Sequence, residues 1–427
     1  MISKITSNLL KRQNYLSKST FSSTGVWDHI PLGPADPVLG ITEKYNNDTH
    51  PNKINLGIGA YRDEQGKPVI MECVKRAEDI IRKTKTNNEY LPTQGDKDFI
   101  KHSLILAYGE EQYTKIQDRL AGIQVLSGTG ALRLALEFCK RYKPDAKFYY
   151  PEPTWPNHLN VARDSGVDVQ KYYWYDPETK LANFTRIFDG LCDAPDGQII
   201  LLHACAQNPT GCDLTYDQWN QLSEIFIKKK HLAFFDMAYQ GFTSGDIHKD
   251  AQAVRLFTEK NIPLLTCQSY AKNMGLYGQR IGCLSFLFDE QVQAENAISQ
   301  LKIIARPLWS SPPLHGAQIA KTILSTPELY DLWLKEVAQF AHRIQSMRTL
   351  LRDNLKSAGS QINWEHLVSQ QGMFAYTGLH EQHCSKLTDD FHIYLMKSGR
   401  ISVAGVNQNN VKYLAESIHS VTKDTGI

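Results

Sequence analysis

The stretch that decides both the fold and the chemistry is Ser269–Arg280, with the sequence SYAKNMGLYGQR. It follows the apolar run IPLLTC at 262–267, which predicts a buried strand. Lys272, just past that strand and beside a small residue, can lose its water, which favours the neutral, nucleophilic amine. Ser269 and Arg280 carry groups that hold a phosphate. The pattern indicates a Schiff-base lysine for pyridoxal phosphate (PLP), and the alternative is a solvated loop lysine.

Composition excludes several classes of function. The 427 residues allow two or three domains and a large core. A formal net charge of +2 gives no reason to expect a nucleic acid or an anionic membrane as partner. No apolar run reaches the roughly 20 residues of a membrane span. The eight cysteines include no C-x-x-C pair, which predicts free buried thiols in a reducing compartment. No H-E-x-x-H, P-loop or EF-hand motif is present, and we expect no metal site.

The first residues differ from the rest of the chain. No acidic residue occurs from Met1 to Trp27, where four basic residues alternate with apolar residues and serines. This composition is typical of a mitochondrial transit peptide, predicted at 1–22 with cleavage around 21–24. The alternative is a disordered basic tail.

Short apolar runs alternate with helical patterns through the middle of the chain. This alternation predicts an α/β domain with a mainly parallel sheet. The predicted strands are 122–126, 147–150, 198–202, 231–235, 263–266 and 283–288, with helices at 131–142 and 216–229.

The last part of the chain has a different order of elements. The pattern predicts a long helix over 329–355, a strand at 372–377, a helix near 387–398 and a strand at 400–404. We interpret this part as a smaller α+β domain.

A carboxylate follows one predicted strand. Asp236 directly follows the apolar run 231–235, and ligands of open α/β sheets bind at the carboxyl ends of strands. A carboxylate there can keep a pyridine nitrogen protonated, and Tyr239 can present a phenol to the same ligand. The alternative for Asp236 is a helix cap or a turn.

A glycine-rich turn follows another predicted strand. Ser127, Gly128 and Thr129 open a predicted helix, where small residues let backbone N–H groups approach an anion. The alternatives are a tight structural turn and a dinucleotide-binding fingerprint. The fingerprint needs a glycine or alanine where the chain has Arg133.

Four further residues are candidates on the same sheet edge. Asn208, in NPTG at 208–211, is either part of a turn or a donor to a cofactor's ring oxygen. Trp155 either stacks on a flat cofactor or fills the core. His158 and His203 are either core histidines or partners that orient Asp236.

Two arginines can each bind a carboxylate with a forked pair of hydrogen bonds. They are Arg306 in IARP at 304–307 and Arg400 in GRISVAG at 399–405. Together they would select a dicarboxylic substrate, and the alternative for each is a surface arginine.

Taken together, these motifs resemble the aspartate aminotransferases, which are class I aminotransferases of PLP fold-type I, and most closely the eukaryotic mitochondrial type. The resemblance runs from about Trp27 to the C-terminus. It includes LGIGAYR at 56–62, EYLP at 89–92, SGTG at 127–130, HACA at 203–206, NPTG at 208–211, FFDMAYQGF at 234–242 and GRISVAG at 399–405.

The resemblance implies catalytic roles for several residues. Lys272 would bind the cofactor covalently and then move the proton between the substrate and the cofactor. Asp236 would pair with the pyridine nitrogen, and Asn208 and Tyr239 would bond the phenolic oxygen. Trp155 would stack on the ring.

It also implies the binding groups. The phosphate would be held by Ser127, Gly128, Thr129, Ser269 and Arg280, joined by Tyr90 from the partner subunit. Arg400 would bind the substrate α-carboxylate, with Gly59, Trp155 and Asn208 nearby, and Arg306 from the partner subunit would bind the distal carboxylate.

The implied architecture has two domains and an arm. A large domain at 69–339 would hold a mainly parallel seven-stranded sheet flanked by helices. A small α+β domain would combine 36–68 with 340–427, and an arm at 23–35 would reach the partner subunit. The implied assembly is a homodimer with active sites shared between the subunits.

The implied reaction is a ping-pong transfer in the mitochondrial matrix, from L-aspartate to 2-oxoglutarate, which yields oxaloacetate and L-glutamate. One alternative is an aromatic-amino-acid or kynurenine aminotransferase activity, as main or secondary role. Others are a peripheral lipid- or fatty-acid-binding protein, and a nicotinamide dehydrogenase, which Arg133 disfavours.

Overall fold

The structure is a computed structural model that describes residues 25–33, 39–425 and 427. The predicted transit peptide at 1–22 lies outside the described residues. Residues 25–33 form a short segment with two turns, in which the amides of Asp28 and Ile30 bond the carbonyls of Gly25 and Trp27. This segment belongs to the predicted arm, whose contact with a partner subunit stays a prediction.

The strands are short and mostly buried. Numbered in chain order, they are β1 Ile54–Asn55, β2 Leu120–Leu126, β3 Phe148–Glu152, β4 Val169–Tyr173, β5 Tyr175–Asp176, β6 Leu181–Ala182, β7 Ile199–His203, β8 Leu232–Met237, β9 Leu264–Ser269, β10 Ile281–Leu287, β11 Phe374–Tyr376, β12 Ile393–Tyr394 and β13 Arg400–Ser402.

The helices lie between these strands. Numbered in chain order within the described residues, they are α1 Leu39–Asn47, α2 Glu72–Thr84, α3 Lys97–Tyr108, α4 Glu110–Ile116, α5 Ser127–Tyr142, α6 Asn157–Asp164, α7 Phe184–Asp193, α8 Tyr216–Lys229, α9 Ile247–Asp250, α10 Gln252–Glu259, α11 Gln291–Trp309, α12 Leu314–Ser325, α13 Pro327–Ser357, α14 His366–Ser369, α15 Glu381–Phe391 and α16 Val411–Thr422. None of these helices combines the length and apolar character needed to cross a membrane.

Seven strands form the central sheet in the order β2-β10-β9-β8-β7-β3-β4. All neighbours pair in parallel except β10, which is antiparallel to both β9 and β2. The prediction of a mainly parallel seven-stranded sheet flanked by helices is therefore confirmed.

Both faces of this sheet are apolar. Ile200 and Leu202 of β7 join one hydrophobic cluster, whereas the alternate residues Ile199 and Leu201 join another. Because side chains alternate along a strand, a strand covered on both faces needs a continuous apolar run, and β7 is such a run. This explains why the short apolar segments of the sequence predicted the strands well.

A third hydrophobic cluster contains apolar residues of 54–61 and of 344–421. It packs the C-terminal half of α13 with α16, and the small sheets β1-β12 and β11-β13 lie among these residues. The division into domains at 36–68, 69–339 and 340–427 stays a prediction.

Two predictions made from the sequence were wrong. The helix predicted near 387–398 spans Glu381–Phe391 instead, because His392 adopts the left-handed conformation (φ 56°) that ends helices. The other detail concerns the cysteines: all eight are free, but Cys192 is exposed and not buried.

A carboxylate from α13 caps the start of α2. The side chain of Glu336 accepts hydrogen bonds from the backbone N–H groups of Glu72 (2.7 Å) and Cys73 (2.9 Å). The N-cap residue of α2, Met71, has no side chain able to do this. Glu336 therefore satisfies two free helix donors and places a negative charge at the positive end of the helix.

We expect Glu336→Gln to lower the free energy of unfolding by about 1 kcal/mol, because the amide keeps one acceptor but loses the charge. Urea unfolding of the purified protein measures the change. Glu416→Gln is the matched control, since Glu416 is exposed and contacts Lys412 only at 3.9 Å. Equal stability of the Glu336 and Glu416 variants would show that the cap contributes nothing.

Candidate active site

One cavity of about 270 Å³ gathers all the predicted site residues except Tyr90 and Arg306. It lies at the edge of the sheet where β2, β7, β8 and β9 end, because these strands run in the same direction. Its lining residues are Gly59, Ser127, Gly128, Thr129, Leu132, Trp155, His203, Asn208, Asp236, Ala238, Tyr239, Ser269, Lys272, Arg280, Phe374 and Arg400.

Lys272 lies in the turn that follows β9 and faces the cavity. Its nitrogen is 5.7 Å from the centroid of the Tyr239 ring. Burial lowers the pKa of Lys272, the negative charge of Asp236 opposes that shift, and the positive charges of Arg280 and Arg400 add to it. The net lowering makes the neutral, nucleophilic amine more accessible than in water.

Asp236 ends in the same cavity and is held by a histidine. His158 Nε2 lies 3.0 Å from Asp236 Oδ2, and His158 Nδ1 lies 2.8 Å from Thr154 Oγ1. Burial alone raises the pKa of Asp236, but the hydrogen bond from His158 and the positive charge of Lys272 contribute to lowering it, and the net shift is downward. The side chain is therefore an ionised carboxylate in a buried position.

His203 pairs with Asp236 across β7 and β8, but the two side chains form no hydrogen bond. His203 Nε2 lies 3.5 Å from Thr154 Oγ1, and burial lowers the pKa of His203 to about 3. A neutral His203 packs edge-on against His158, with ring centroids 5.4 Å apart. Of the two histidines proposed to orient Asp236, only His158 forms a hydrogen bond with its carboxylate.

An anion-binding cradle occupies one wall of the cavity. The helix α5 begins at Ser127 immediately after β2, has no side-chain cap, and has no acidic residue in its first turn. Ser127 Oγ and Ser269 Oγ are 2.9 Å apart, and Gly128, Thr129 and Arg280 line the same wall. Free N–H groups at a helix start, hydroxyls and a guanidinium are the donors that bind phosphate.

Trp155 and Tyr239 form aromatic parts of the lining. Trp155 is half-buried and meets the His158 ring edge-on at a centroid distance of 5.3 Å. Tyr239 is 5 % exposed, and burial raises its pKa, which keeps the phenol protonated as a hydrogen-bond donor.

Arg400 is buried at the other side of the cavity, with 4 % of its surface exposed. Its Nη2 donates to the carbonyl of Gly57 at 2.8 Å, and its Nη1 lies 3.5 Å from Asn208 Oδ1. The guanidinium carbon lies 4.2 Å from the centroid of the Phe374 ring, and Nε has no partner. No carboxylate of the described residues pairs with this buried cation, which leaves it available to an anionic ligand.

Sequence reasoning missed Phe374, which lines the cavity beneath Arg400. A Cβ added at Gly59 would lie 2.5 Å from Phe374 Cζ, so only glycine permits this close approach. The available signal was the predicted strand at 372–377, which pairs with the strand that begins at Arg400.

Tyr90 and Arg306 lie away from the cavity. Tyr90 is 90 % exposed. Arg306 is exposed on α11, where it donates to Ser310 Oγ at 2.7 Å and borders a surface groove with Thr93. The structure of this chain therefore does not bring these two predicted residues to the Lys272 site.

Comparison with known proteins identifies the family. The family profile described as aminotransferase class I and II matches residues 51–418. The chain belongs to the class I and II aminotransferases. This membership confirms the predicted fold class and the predicted dependence of this aminotransferase on PLP.

Individual relatives of this aminotransferase are similar over nearly their whole length. The chain is 50 % identical over 404 residues to a mitochondrial aspartate aminotransferase of Arabidopsis thaliana, covering 95 % of this chain and 94 % of the relative. It is 47 % identical over 418 residues to that of Gallus gallus, covering 98 % and 99 %. The solved cytoplasmic aspartate aminotransferase of Saccharomyces cerevisiae superposes with a TM-score of 0.90 at 40 % identity, covering 94 % and 99 %.

The residues of this aminotransferase fit the cofactor. The cradle at Ser127 and Ser269 provides donors for a phosphate, and Asp236 provides a buried anion for a protonated ring nitrogen. Lys272 provides the amine in the same cavity. Each functional part of PLP therefore has a matching group in one cavity.

Proposed function

We propose that this chain is an aspartate aminotransferase, which transfers the amino group of L-aspartate to 2-oxoglutarate and forms oxaloacetate and L-glutamate. The observation that carries the proposal is the joint presence of Lys272, Asp236 and the unpaired Arg400 in one cavity. The relatives named above support the choice of substrates.

Bound PLP supplies an electron sink that stabilises negative charge at the substrate α-carbon. Lys272 would bind the cofactor and then serve as the base that removes the proton from the substrate α-carbon and delivers it to C4′ of the cofactor. Its lowered pKa suits this role, because a general base works best when its pKa lies near the operating pH. The amino group stays on the enzyme between the two half-reactions, which gives ping-pong kinetics.

Asp236 and its neighbours hold the ring. The ionised Asp236 keeps a proton on the pyridine nitrogen, and the bond from His158 fixes the direction of the carboxylate. Asn208 and Tyr239, which line the same cavity, would donate to the phenolic oxygen, and Trp155 would pack against the ring face. These contacts hold the substrate α-carbon within reach of Lys272.

The cofactor phosphate and the substrate α-carboxylate are bound by different cationic side chains. Arg280, the two serines and the start of α5 hold the phosphate. Arg400 binds the substrate α-carboxylate, because its Nε is unpaired and its fork matches a carboxylate. A substrate without a carboxylate would leave this buried guanidinium unpaired.

The second carboxylate of a dicarboxylic substrate needs a further cationic side chain. Apart from Lys272, the only cationic side chains that line the cavity are Arg280 and Arg400, and both have been assigned to other groups. Arg306 is exposed, borders a different groove and does not line this cavity, so it does not supply that cation within its own subunit. We therefore infer a homodimer in which Arg306 of the partner subunit, together with the partner's Tyr90, completes each site.

A mixed dimer tests this arrangement. We expect Arg306→Leu alone to lower kcat/KM for aspartate by about 10²–10³-fold, because a buried ion pair loses one partner. A dimer of one Arg306→Leu subunit and one Lys272→Ala subunit would contain one intact site and one doubly defective site. A purified mixed dimer with differently tagged subunits should therefore recover about half of the wild-type activity on aspartate.

The control is a mixed dimer of Arg306→Leu with wild type, which should also retain about half of the activity. No recovery in the first mixed dimer would place Arg306 and Lys272 of one site on the same subunit and would contradict the shared site.

A kinetic comparison distinguishes the aromatic-amino-acid or kynurenine alternative. Steady-state assays with aspartate, phenylalanine and kynurenine, each with 2-oxoglutarate, should give the highest kcat/KM for aspartate. Faster turnover of either aromatic substrate would contradict the proposed substrate.

We also propose that the protein works in the mitochondrial matrix. The acid-free basic segment at 1–22 and the relatives named mitochondrial support this location. Fusing residues 1–27 to a reporter should place it inside isolated mitochondria, protected from protease even after the outer membrane is opened. A reporter that stays outside would contradict the proposed transit peptide.

A further inference from the structure

Arg348 is a buried arginine outside the cavity. It lies on α13 with 1 % of its surface exposed. Nη1 donates to the carbonyl of Leu367 at 2.8 Å, and Nη2 donates to the carbonyls of Gly372 (2.8 Å) and Phe374. No carboxylate of the described residues forms an ion pair with it. A charge this deeply buried is costly, so its partners indicate what it stabilises.

The three acceptors all lie in one segment, Leu367–Phe374, which turns back from α14 into β11. Gly372 in this segment has a positive φ of 75°. A turn of this kind leaves carbonyl groups without strand or helix partners, and the planar guanidinium can bind several of them at once. Arg348 therefore fixes the path of the backbone just before Phe374.

Phe374 connects the segment held by Arg348 to the active site. Its ring lies 4.2 Å beneath the Arg400 guanidinium carbon and fills the space opposite Gly59. A cation over an aromatic face is attracted to it, and this contact helps to fix the position of the guanidinium. The orientation of Arg400 thus depends on where β11 begins.

The same segment also supports the loop that carries Asn208. The amide of Gln371 donates to the carbonyl of Gly211 at 2.7 Å. Gly211 has a φ of 67°, and a Cβ there would lie 2.6 Å from the Gln371 carbonyl oxygen. Because Asn208 Oδ1 lies 3.5 Å from Arg400, the segment supports two neighbours of the guanidinium.

We propose that Arg348 is a positioning residue for substrate carboxylate binding: it holds the segment Leu367–Phe374 so that Phe374 and Asn208 orient Arg400. This inference rests on the proposed role of Arg400. It predicts that Arg348 contributes mainly to substrate affinity. None of its own contacts reaches the phosphate cradle or Asp236, and it acts on the cofactor only through the loop that carries Asn208.

The test compares Arg348→Lys and Arg348→Gln with wild type as holoenzymes. Lysine keeps the charge but cannot span three carbonyls, and glutamine loses the charge as well. We expect KM for both aspartate and 2-oxoglutarate to rise about 10-fold for lysine and more for glutamine. The dissociation constant of succinate, an unreactive dicarboxylate, should rise in parallel, whereas kcat should change by less than about 3-fold.

Arg352→Gln is the matched control, because Arg352 lies one turn further along α13 and pairs on the surface with Asp353 and Glu365. This variant should leave KM for both substrates and the dissociation constant of succinate unchanged. All three variants should bind the same amount of cofactor per subunit as wild type, because the phosphate cradle and Asp236 are untouched.

Phe374→Leu is an independent test of the same proposal, because it leaves Arg348 intact. It should raise KM for both substrates by a similar factor, and adding Arg348→Lys to it should raise KM by less than about 2-fold further, because both changes act through Arg400. Fully additive effects would overturn the proposal. So would wild-type KM values in the Arg348 variants, or a loss of kcat and cofactor absorption with KM unchanged.

Arg400→Lys separates this inference from the function on which it rests. If Arg400→Lys raises KM and the Arg348 variants do not, only the positioning role fails. If Arg400→Lys leaves KM unchanged, the proposed carboxylate site itself is wrong.

Discussion

Lys272→Ala should abolish turnover, lowering kcat/KM for aspartate by at least about 10⁴-fold. The variant lacks both the amine that binds the cofactor and the base that moves the α-proton. No second amine lines the cavity, so none of its lining residues can take over either role. The measurement is a steady-state assay of oxaloacetate formation, supported by a single-turnover assay of the first half-reaction.

Lys412→Ala is the control for a lysine removed elsewhere. Lys412 is exposed on α16, and its nearest carboxylate, that of Glu416, is 3.9 Å away. This variant should match wild type in activity and stability. If Lys272→Ala kept more than about one thousandth of the wild-type rate, Lys272 would not be the base.

Asp236→Asn should lower kcat by about 10³-fold while leaving the protein folded. The ionised carboxylate stabilises a protonated ring nitrogen, whereas a neutral amide cannot, so the ring would accept charge from the α-carbon less readily. His158 can still bond the amide oxygen, which preserves the position of the side chain. The effect should therefore appear in kcat and less in KM for aspartate.

Asp217→Asn, on the exposed first turn of α8, controls for the loss of a carboxylate elsewhere. Pre-steady-state measurement of α-proton removal, with α-deuterated aspartate, should show that the slowed step is proton transfer. An Asp236→Asn rate within tenfold of wild type would show that the carboxylate does not control the ring nitrogen.

The sequence predicted most of the site because the site follows strand ends. Asp236, Ser269 and Ser127 each lie at or next to the end of an apolar run, and parallel strands bring such ends to one edge. The direction of each strand was harder to predict from the sequence. The run that became β10 has the same apolar composition as its neighbours although it runs antiparallel to them.

The parts that sequence reasoning missed depend on contacts between distant segments. The position of Phe374 beneath Arg400, and its approach to Gly59, follow from the packing of segments far apart in the chain. Arg348 is one of many arginines in the sequence, and only the folded chain shows that it is buried among carbonyl groups. The predicted distal-carboxylate residue, Arg306, needs a second subunit to reach the site.

The most direct test of the central claim is an absorbance spectrum of the purified protein before and after addition of aspartate alone. We predict a visible band from the lysine-bound cofactor that disappears on adding aspartate, with one equivalent of oxaloacetate released per subunit, and that returns with 2-oxoglutarate. The band should be absent in Lys272→Ala. A band that ignores aspartate but responds to an aromatic amino acid would contradict the proposed substrate. The absence of any band after incubation with PLP would contradict the account as a whole.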